Sequence, residues 1–319
     1  METSEFQKWL ARIDELTPIQ RNRAIEALGS DAKDGESVAI IEGLVSDDRR
    51  CPQCNKPGAI RRGIVDGLQR YSCNHCRRTF NAITGTSVSG LRKKDKWLKY
   101  CEALKEGLTL EKAAEHCGIH PRTAFRWRHR FLKLFSDNKS TKLNGIVEAD
   151  ETFFLESCKG QKELPRPARQ RGEKATRPGL SGEQIPVLIA RDRSGETFDA
   201  VLEGLSKEQL GAALKPVLGN DVLLCTDGSR AFKAMAKDAE IEHQAVNLKA
   251  GIRVKDHVYH VQNVNAYDSR LKGWLRRFNG VATRYLGSYL GWRRFIDCHP
   301  EDASNPKSWL IEALRPVPA

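Results

Sequence analysis

Four of the nine cysteines fall into two pairs, Cys51-Pro52-Gln53-Cys54 and Cys73-Asn74-His75-Cys76, with eighteen residues between them. Each pair closes a turn that presents two sulfurs to one point. Four thiolates at about 2.3 Å satisfy tetrahedral Zn2+ in a closed, structural shell. A module of roughly thirty residues buries too little apolar surface to fold unaided, so the ion would act as its staple. A redox pair is the competing reading of such cysteines, but an odd total favours metal and reduced thiols. His75 is expected to be exposed rather than a ligand. Arg61, Arg62, Arg70, Arg77 and Arg78 make the ribbon basic, with DNA the first candidate partner and a protein the second.

A second set is acidic. Val147-Glu148-Ala149-Asp150-Glu151-Thr152 has the pattern of a buried strand ending in carboxylates, and Asp221 to Cys225 is another apolar strand, running into Thr226-Asp227-Gly228-Ser229. If these strands are neighbours, Asp150 and Asp227 meet at one edge of a mixed sheet, a pair suited to Mg2+ or Mn2+. Two such ions about 3.5–4 Å apart activate a water or a 3′-hydroxyl and stabilise the leaving oxygen of a phosphoryl transfer. Carboxylates at strand ends are also common turn formers. Glu148 and Glu151 bracket Asp150; both are expected to face away from it as supporting groups, with Glu151 an alternative ligand.

A third set is basic. From Leu110 to Arg128 the order is a short helix, a turn at Cys117-Gly118-Ile119, and a second helix. Small Ala114 permits close approach of two crossed helices, and Ile119, Ala124 and Trp127 fill the wedge between them. The second helix carries Arg122, Thr123, Arg126, Arg128 and Arg130, placed to meet phosphates and base edges in a major groove. A helical pair of some other function with a solvated basic face is the bland alternative.

These sets need elements to hold them. Apolar spacing predicts a helical leader at 1–48, capped for its second helix by Thr17, then a zinc ribbon at 49–82. A helix-turn-helix follows at 92–136, an α/β core at 145–297 and a C-terminal tail at 298–319. Within the core, a hairpin-like pair surrounds 192–195, a helix runs from Lys207, and another spans 260–278. Residues 156–184, with Lys159, Lys162, Arg166, Arg169, Arg171, Lys174 and Arg177, are expected to form a mobile basic insertion.

Composition narrows the function. The 319 residues are 39% hydrophobic, enough for a globular core, and carry a net charge of +12. Residues 1–48 hold 5 Lys/Arg against 11 Asp/Glu, leaving 48 against 30 in the remainder. So basic a body attracts a polyanion by counterion release. No run approaches the roughly 18 apolar residues of a membrane span, and the first sixteen residues lack signal-peptide character, so a cytoplasmic, nucleoid-associated protein is expected.

The cysteine pairs, V-E-A-D-E-T-F-F at 147–154, T-D-G-S-R-A-F at 226–232 and H-V-Q-N-V-N-A-Y-D-S-R-L-K at 260–272 together resemble the bacterial insertion-sequence transposases of family fifteen-ninety-five. The likeness covers roughly 17–295. It implies a zinc ribbon joined to an RNase H-like mixed sheet with flanking helices. The implied activity is metal-dependent cleavage and strand transfer at inverted terminal repeats, by an enzyme that is at least a dimer on double-stranded DNA. Most such enzymes place a glutamate where this chain has Asn265. A subset with asparagine there, followed seven residues on by lysine, matches Asn265 and Lys272. The implied set is then Asp150, Asp227, Asn265 and Lys272, its metal site one negative charge poorer than one with glutamate. Asp268 is either the true third ligand or the helix partner of Lys272, which is otherwise a surface lysine. His260 could contact DNA, orient a ligand or cap a helix. A DNA-binding regulator with an inactive core and an RNase H-like nuclease are the alternatives.

Overall fold

The computed structural model describes residues 3–45, 48–137 and 142–317, apart from 165, 168, 171, 174, 178–180 and 247–253. Arg171 and Lys174 of the basic segment lie outside the described residues, as do the side chains of Phe6, Ile25 and Leu28 in the leader. The chain divides into two compact units: residues 1–127 with 305–319, and residues 128–304.

The first unit opens with α1 (Thr3–Ala11) and α2 (Pro18–Gly43). Thr17 starts α2 through a capping box: its hydroxyl accepts from the Gln20 amide while the Gln20 side chain accepts from the Thr17 amide. A three-stranded antiparallel sheet follows, β1 (Ile60–Val65), β2 (Leu68–Ser72) and β3 (Thr79–Phe80), in that spatial order. Its core is small, Ala59, Tyr71 and Phe80 beside Cys51 and Cys73, as expected of a module that depends on metal.

Three helices come next: α3 (Trp97–Lys105), α4 (Leu110–Cys117) and α5 (Pro121–Phe131). Thr109 caps α4, and Gly118 ends it in the left-handed conformation at φ 59°, which lets the chain turn sharply into α5. Ala114, Ile119, Ala124 and Trp127 are buried, and Trp127 meets Tyr100 edge to face at 5.2 Å. The tail expected at 298–319 is more structured than that word implies. It holds α11 (Pro300–Ser304) and α12 (Pro306–Ala313); α12 packs on α3, Ser87 donates to the Ala313 carbonyl, and the amide of Val317 donates to the Gly85 carbonyl.

The second unit is the expected α/β core. Its sheet comprises β4 (Ile146–Leu155), β5 (Gln184–Asp192), β6 (Thr197–Val201), β7 (Leu223–Thr226) and β8 (Glu242–Ala245), in the order β6-β5-β4-β7-β8. The first three strands form an antiparallel meander, and β7 and β8 add in parallel beyond β4. This is the RNase H-like mixed sheet. Period-two alternation divides its faces. Val147, Ala149, Leu188, Ala190, Phe198 and Ala200 point into a core completed by Leu210 and Leu214 of α7 (Lys207–Leu214) and Phe232 and Met235 of α8 (Arg230–Asp238). The other face receives α9 (Gln262–Arg276), which packs on β4 and β5, and α10 (Leu286–Cys298), which packs on β6.

Helix α10 also lies against α6 (Lys133–Asp137). Gly291 makes that approach possible, since a methyl there would overlap the Phe135 carbonyl. Buried Arg294 pairs with Asp199 and donates to the Phe135 carbonyl at 2.7 Å, so its charge is matched inside the unit. Up to residue 183, where β5 is about to begin, the described part of the 156–184 segment contains no helix or strand, and two of its arginines work internally: Arg166 and Arg169 both donate to the Glu156 carbonyl, at 3.1 and 2.8 Å.

Candidate active site and metal centres

Strand β4 runs parallel to β7 with Glu148 opposite Cys225. Carrying that register two residues onward sets Asp150 level with Asp227, so the neighbouring-strand condition is met. Asp227 lies in the tight turn after β7, where its Oδ1 accepts from the Ser229 amide at 2.9 Å. The turn needs Gly228: its φ is +80°, and a side chain there would come within 2.8 Å of Ala245 Cβ on β8. Thr226 braces the same turn, its hydroxyl accepting from the Gly228 amide at 3.0 Å and bonding His243 Nε2 at 2.9 Å.

Carboxylate oxygens of Asp150, Glu151 and Asp227 all lie within 4.8 Å of one another. Glu151 therefore does not stay on the far side of the strand as expected. The cluster forms beyond the last β4–β7 pair, and Asp150 folds back so that its Oδ1 accepts from the Glu151 amide at 2.9 Å. Burial pushes the Asp150 carboxyl up to about 6, with the charges of Asp227 and Asp268 adding to it. Burial likewise raises Glu151 to about 7, with Asp150 and Asp227 contributing. Two half-buried carboxylates beside the exposed Asp227 favour a cation between them.

Glu148 is also corrected. It shares the side of Asp150, as two residues along a strand must, and it is fully buried. Its partners lie at the start of α9: the amides of Asn263 and Val264 and the Asn263 side chain donate to it at 2.8, 3.1 and 3.0 Å. Arg193 lies 3.0 Å and His260 3.3 Å from the same carboxylate.

Asn265 stands half-buried on the first turn of α9. Lys272, two turns on, holds Asp268 at 2.8 Å, the expected i,i+4 pairing. The other Asp268 oxygen, Oδ1, is buried without a hydrogen-bond partner among the described residues. Lys272 also lines an open groove together with Arg276, Phe153 and Phe154, and with Lys159 and Arg166 from the segment after β4.

In the ribbon, Cys51 and Cys76 sulfurs stand 3.7 Å apart and those of Cys54 and Cys73 3.5 Å. Sulfurs about 2.3 Å from a tetrahedral ion are separated by roughly 3.8 Å, so the four residues are arranged to hold one metal. The amides of Cys76 and His75 point at Cys73 Sγ and bring its thiol down to about 6, stabilising the thiolate that a metal requires. His75 is exposed.

On α5, Arg122 and Arg126 are exposed, while Thr123 and Arg130 are half-buried. Arg128 is fully buried and does not belong to an exposed basic face. Its guanidinium lies 4.6 Å from the Trp292 ring centroid and 5.9 Å from that of Phe278, with Nη1 3.4 Å from the Tyr289 hydroxyl. The spacing 124, 127, 128, 131 aligns it with Ala124, Trp127 and Phe131 on the apolar side, a signal present in the sequence. Phe125, 40% exposed beside Arg122 and Arg126, is an apolar addition to that face.

A helix-turn-helix, a four-cysteine ribbon and an RNase H-like sheet with clustered carboxylates are combined in this chain, and sequence comparison assigns the sheet to a transposase domain. Residues 142–295 match the ISXO2-like transposase domain and residues 98–136 a homeodomain-like domain. Residues 142–295 are thus similar to the ISXO2-like transposase domain, and together with the helix-turn-helix, which supports DNA binding, they mark an insertion-sequence transposase. A curated relative, an uncharacterized protein in transposable element ISH50 of Halobacterium salinarum, is 29% identical over 247 residues, covering 75% of this chain and 82% of its own length. Among solved structures, a simian T-cell lymphotropic virus intasome chain aligns at 11% identity over 63% of this chain and 68% of its own, with a TM-score of 0.29. A Mos1 transposase paired-end complex chain aligns at 14% identity over 65% and 77%, with a TM-score of 0.21. Among the described residues no helix is long and apolar enough to cross a membrane.

Proposed function

We propose that this transposase cuts and joins DNA strands at the ends of its element by a two-metal-ion mechanism, with Asp150 and Asp227 as the principal metal ligands. The observation behind this reading is the clustering of Asp150, on β4, with Asp227, in the turn that follows the adjacent parallel β7, and with the Glu151 carboxylate. Bound Mg2+ or Mn2+ would supply Lewis acidity for the attacking and leaving oxygens. Asn265 adds a neutral oxygen from α9, Lys272 offers an ammonium to a phosphate beside the scissile bond, and Asp268 orients that ammonium. The groove lined by Lys272, Arg276 and Lys159 suits the phosphate chain leading away from the carboxylates.

The four ribbon cysteines, Cys51, Cys54, Cys73 and Cys76, would hold Zn2+ as a structural ion, since a closed four-sulfur shell leaves no position for substrate. Arg122, Thr123 and Arg126 would face the terminal repeats, with Arg130 at the end of the same helix. Two ends must be joined, so the working form is at least a dimer on DNA, acting at the nucleoid.

A strand-transfer assay with end-containing DNA and Mg2+ or Mn2+ checks this. Asp150→Ala and Asp227→Ala should each lower joining by about 100-fold or more, the order of effect of losing a principal charge-stabilising group, while DNA binding persists. Joining that survives both changes would overturn the assignment. Cleavage without joining by the unaltered protein would mark a nuclease, and binding alone an inactive core.

A further inference from the structure

Glu148 occupies an unusual position for a buried acid. Helix α9 begins at Val261, whose side chain makes no capping bond. The amides of its first turn are nevertheless satisfied from outside the helix. Gln262 donates to His260 Nδ1 at 3.3 Å, and Asn263 and Val264 donate to Glu148 Oε2. Glu148 thus does from a strand what a capping residue does from within the chain, and its charge is favourable at a helix N-terminus. The remaining oxygen, Oε1, is held by Asn263 Nδ2 and Arg193, and Arg193 also donates to the Val258 carbonyl at 2.9 Å. The approach to the helix and its first turn are therefore fixed at one point of β4.

That point lies two residues before Asp150, about 7 Å along the same face of the strand. Asn265 follows Val264 directly, and Asp268 and Lys272 stand one and two turns further on. Moving the α9 N-terminus along or around its axis would displace all three relative to Asp150. No other group from the sheet bonds these amides among the described residues, so the register of α9 depends on this carboxylate.

We propose that Glu148 is a positioning residue for strand cleavage and joining: by gripping the Asn263 and Val264 amides it sets α9, and with it Asn265 and Lys272, against Asp150. The inference rests on the metal-site reading given above. Glu148 touches neither metal nor DNA in this role, and its effect passes through the helix.

The test uses the full chain and follows joining as a function of Mn2+ concentration, with thermal unfolding measured in parallel. Glu148→Gln retains the volume but replaces one acceptor oxygen by a donor amide facing other donors. It should raise the Mn2+ concentration for half-maximal joining by about 10-fold or more, the scale seen when an outer-shell partner of a metal site is lost. Asn263→Ala, which removes only the side-chain hydrogen bond, should shift it in the same direction by less and keeps the test available if the first variant does not fold. Leu214→Ala, in the core on the other face of the sheet, should lower the unfolding temperature without moving the Mn2+ dependence. An unchanged Mn2+ dependence in Glu148→Gln, or an equal shift in Leu214→Ala, would overturn the positioning role. Asp150→Ala and Asp227→Ala run alongside. If they join normally, the metal-site reading has failed and this proposal with it; if they are inactive while Glu148→Gln is normal, only the positioning role has failed.

Discussion

Asp150 and Glu151 illustrate how far a residue's chemistry depends on its neighbours. Unfolded, they would titrate near 3.8 and 4.5; folded, burial and mutual repulsion hold them near 6 and 7. Because the folded pKa values are raised, the stability these groups contribute is present below pH about 4 and is lost as the pH rises through about 6 to 7. Protein dialysed free of Mg2+ without a strong chelator, so that the ribbon ion stays, should therefore unfold at a lower temperature at pH about 8 than at pH about 5. The Asp150→Asn, Glu151→Gln double variant should show a flatter profile. Added Mg2+ should raise the unfolding temperature at the higher pH and have little effect at the lower, where protons compete for the same oxygens. A melting curve indifferent to Mg2+ at the higher pH would argue against a metal centre here. The strand-end carboxylates Asp150 and Asp227 are a local pattern in the sequence, but their meeting depends on the two strands being neighbours, which the family resemblance implied. The place of Glu151 beside them was not readable, because its approach to Asp227 depends on where the β4–β7 pairing stops.

At the scale of elements, α5 shows two faces whose roles separate cleanly. Replacing Arg122 or Arg126 by Ala should weaken DNA binding and, for each phosphate no longer neutralised, reduce the salt dependence of affinity by about one in log–log slope. Arg128→Ala should leave that slope unchanged and lower the unfolding temperature, since its guanidinium sits among Trp292, Phe278 and Tyr289. Binding titrations at several salt concentrations decide it; a reduced slope in Arg128→Ala would return that residue to the DNA face. The helix itself was legible from its spacing, and so was the burial of Arg128 once positions 124, 127 and 131 are aligned with it. Helix α9 was legible as a helix, whereas its partnership with Asp150 entered only through family resemblance: periodicity names the buried side of a helix but not what covers it. Glu148 adds that the anchor of a helix can lie 115 residues away in the chain.

At the scale of the whole molecule, the ribbon and the helix pair follow from local signals, cysteine spacing and a glycine turn, whereas the order of strands in the mixed sheet was implied only by the family resemblance. The division into units follows from neither, because it depends on how distant segments pack together. Residues 305–317 carry no motif, yet α12 buries Trp309 and Leu310 in the unit formed by the first 127 residues. The DNA-binding unit is therefore discontinuous, with the catalytic unit threaded between its two pieces. A ribosome releases the N-terminal piece first but delivers its missing helix only after the whole catalytic unit. The DNA grip is thus completed after the catalytic sheet has already emerged, and a prematurely terminated chain would carry the carboxylates without a finished means of finding DNA.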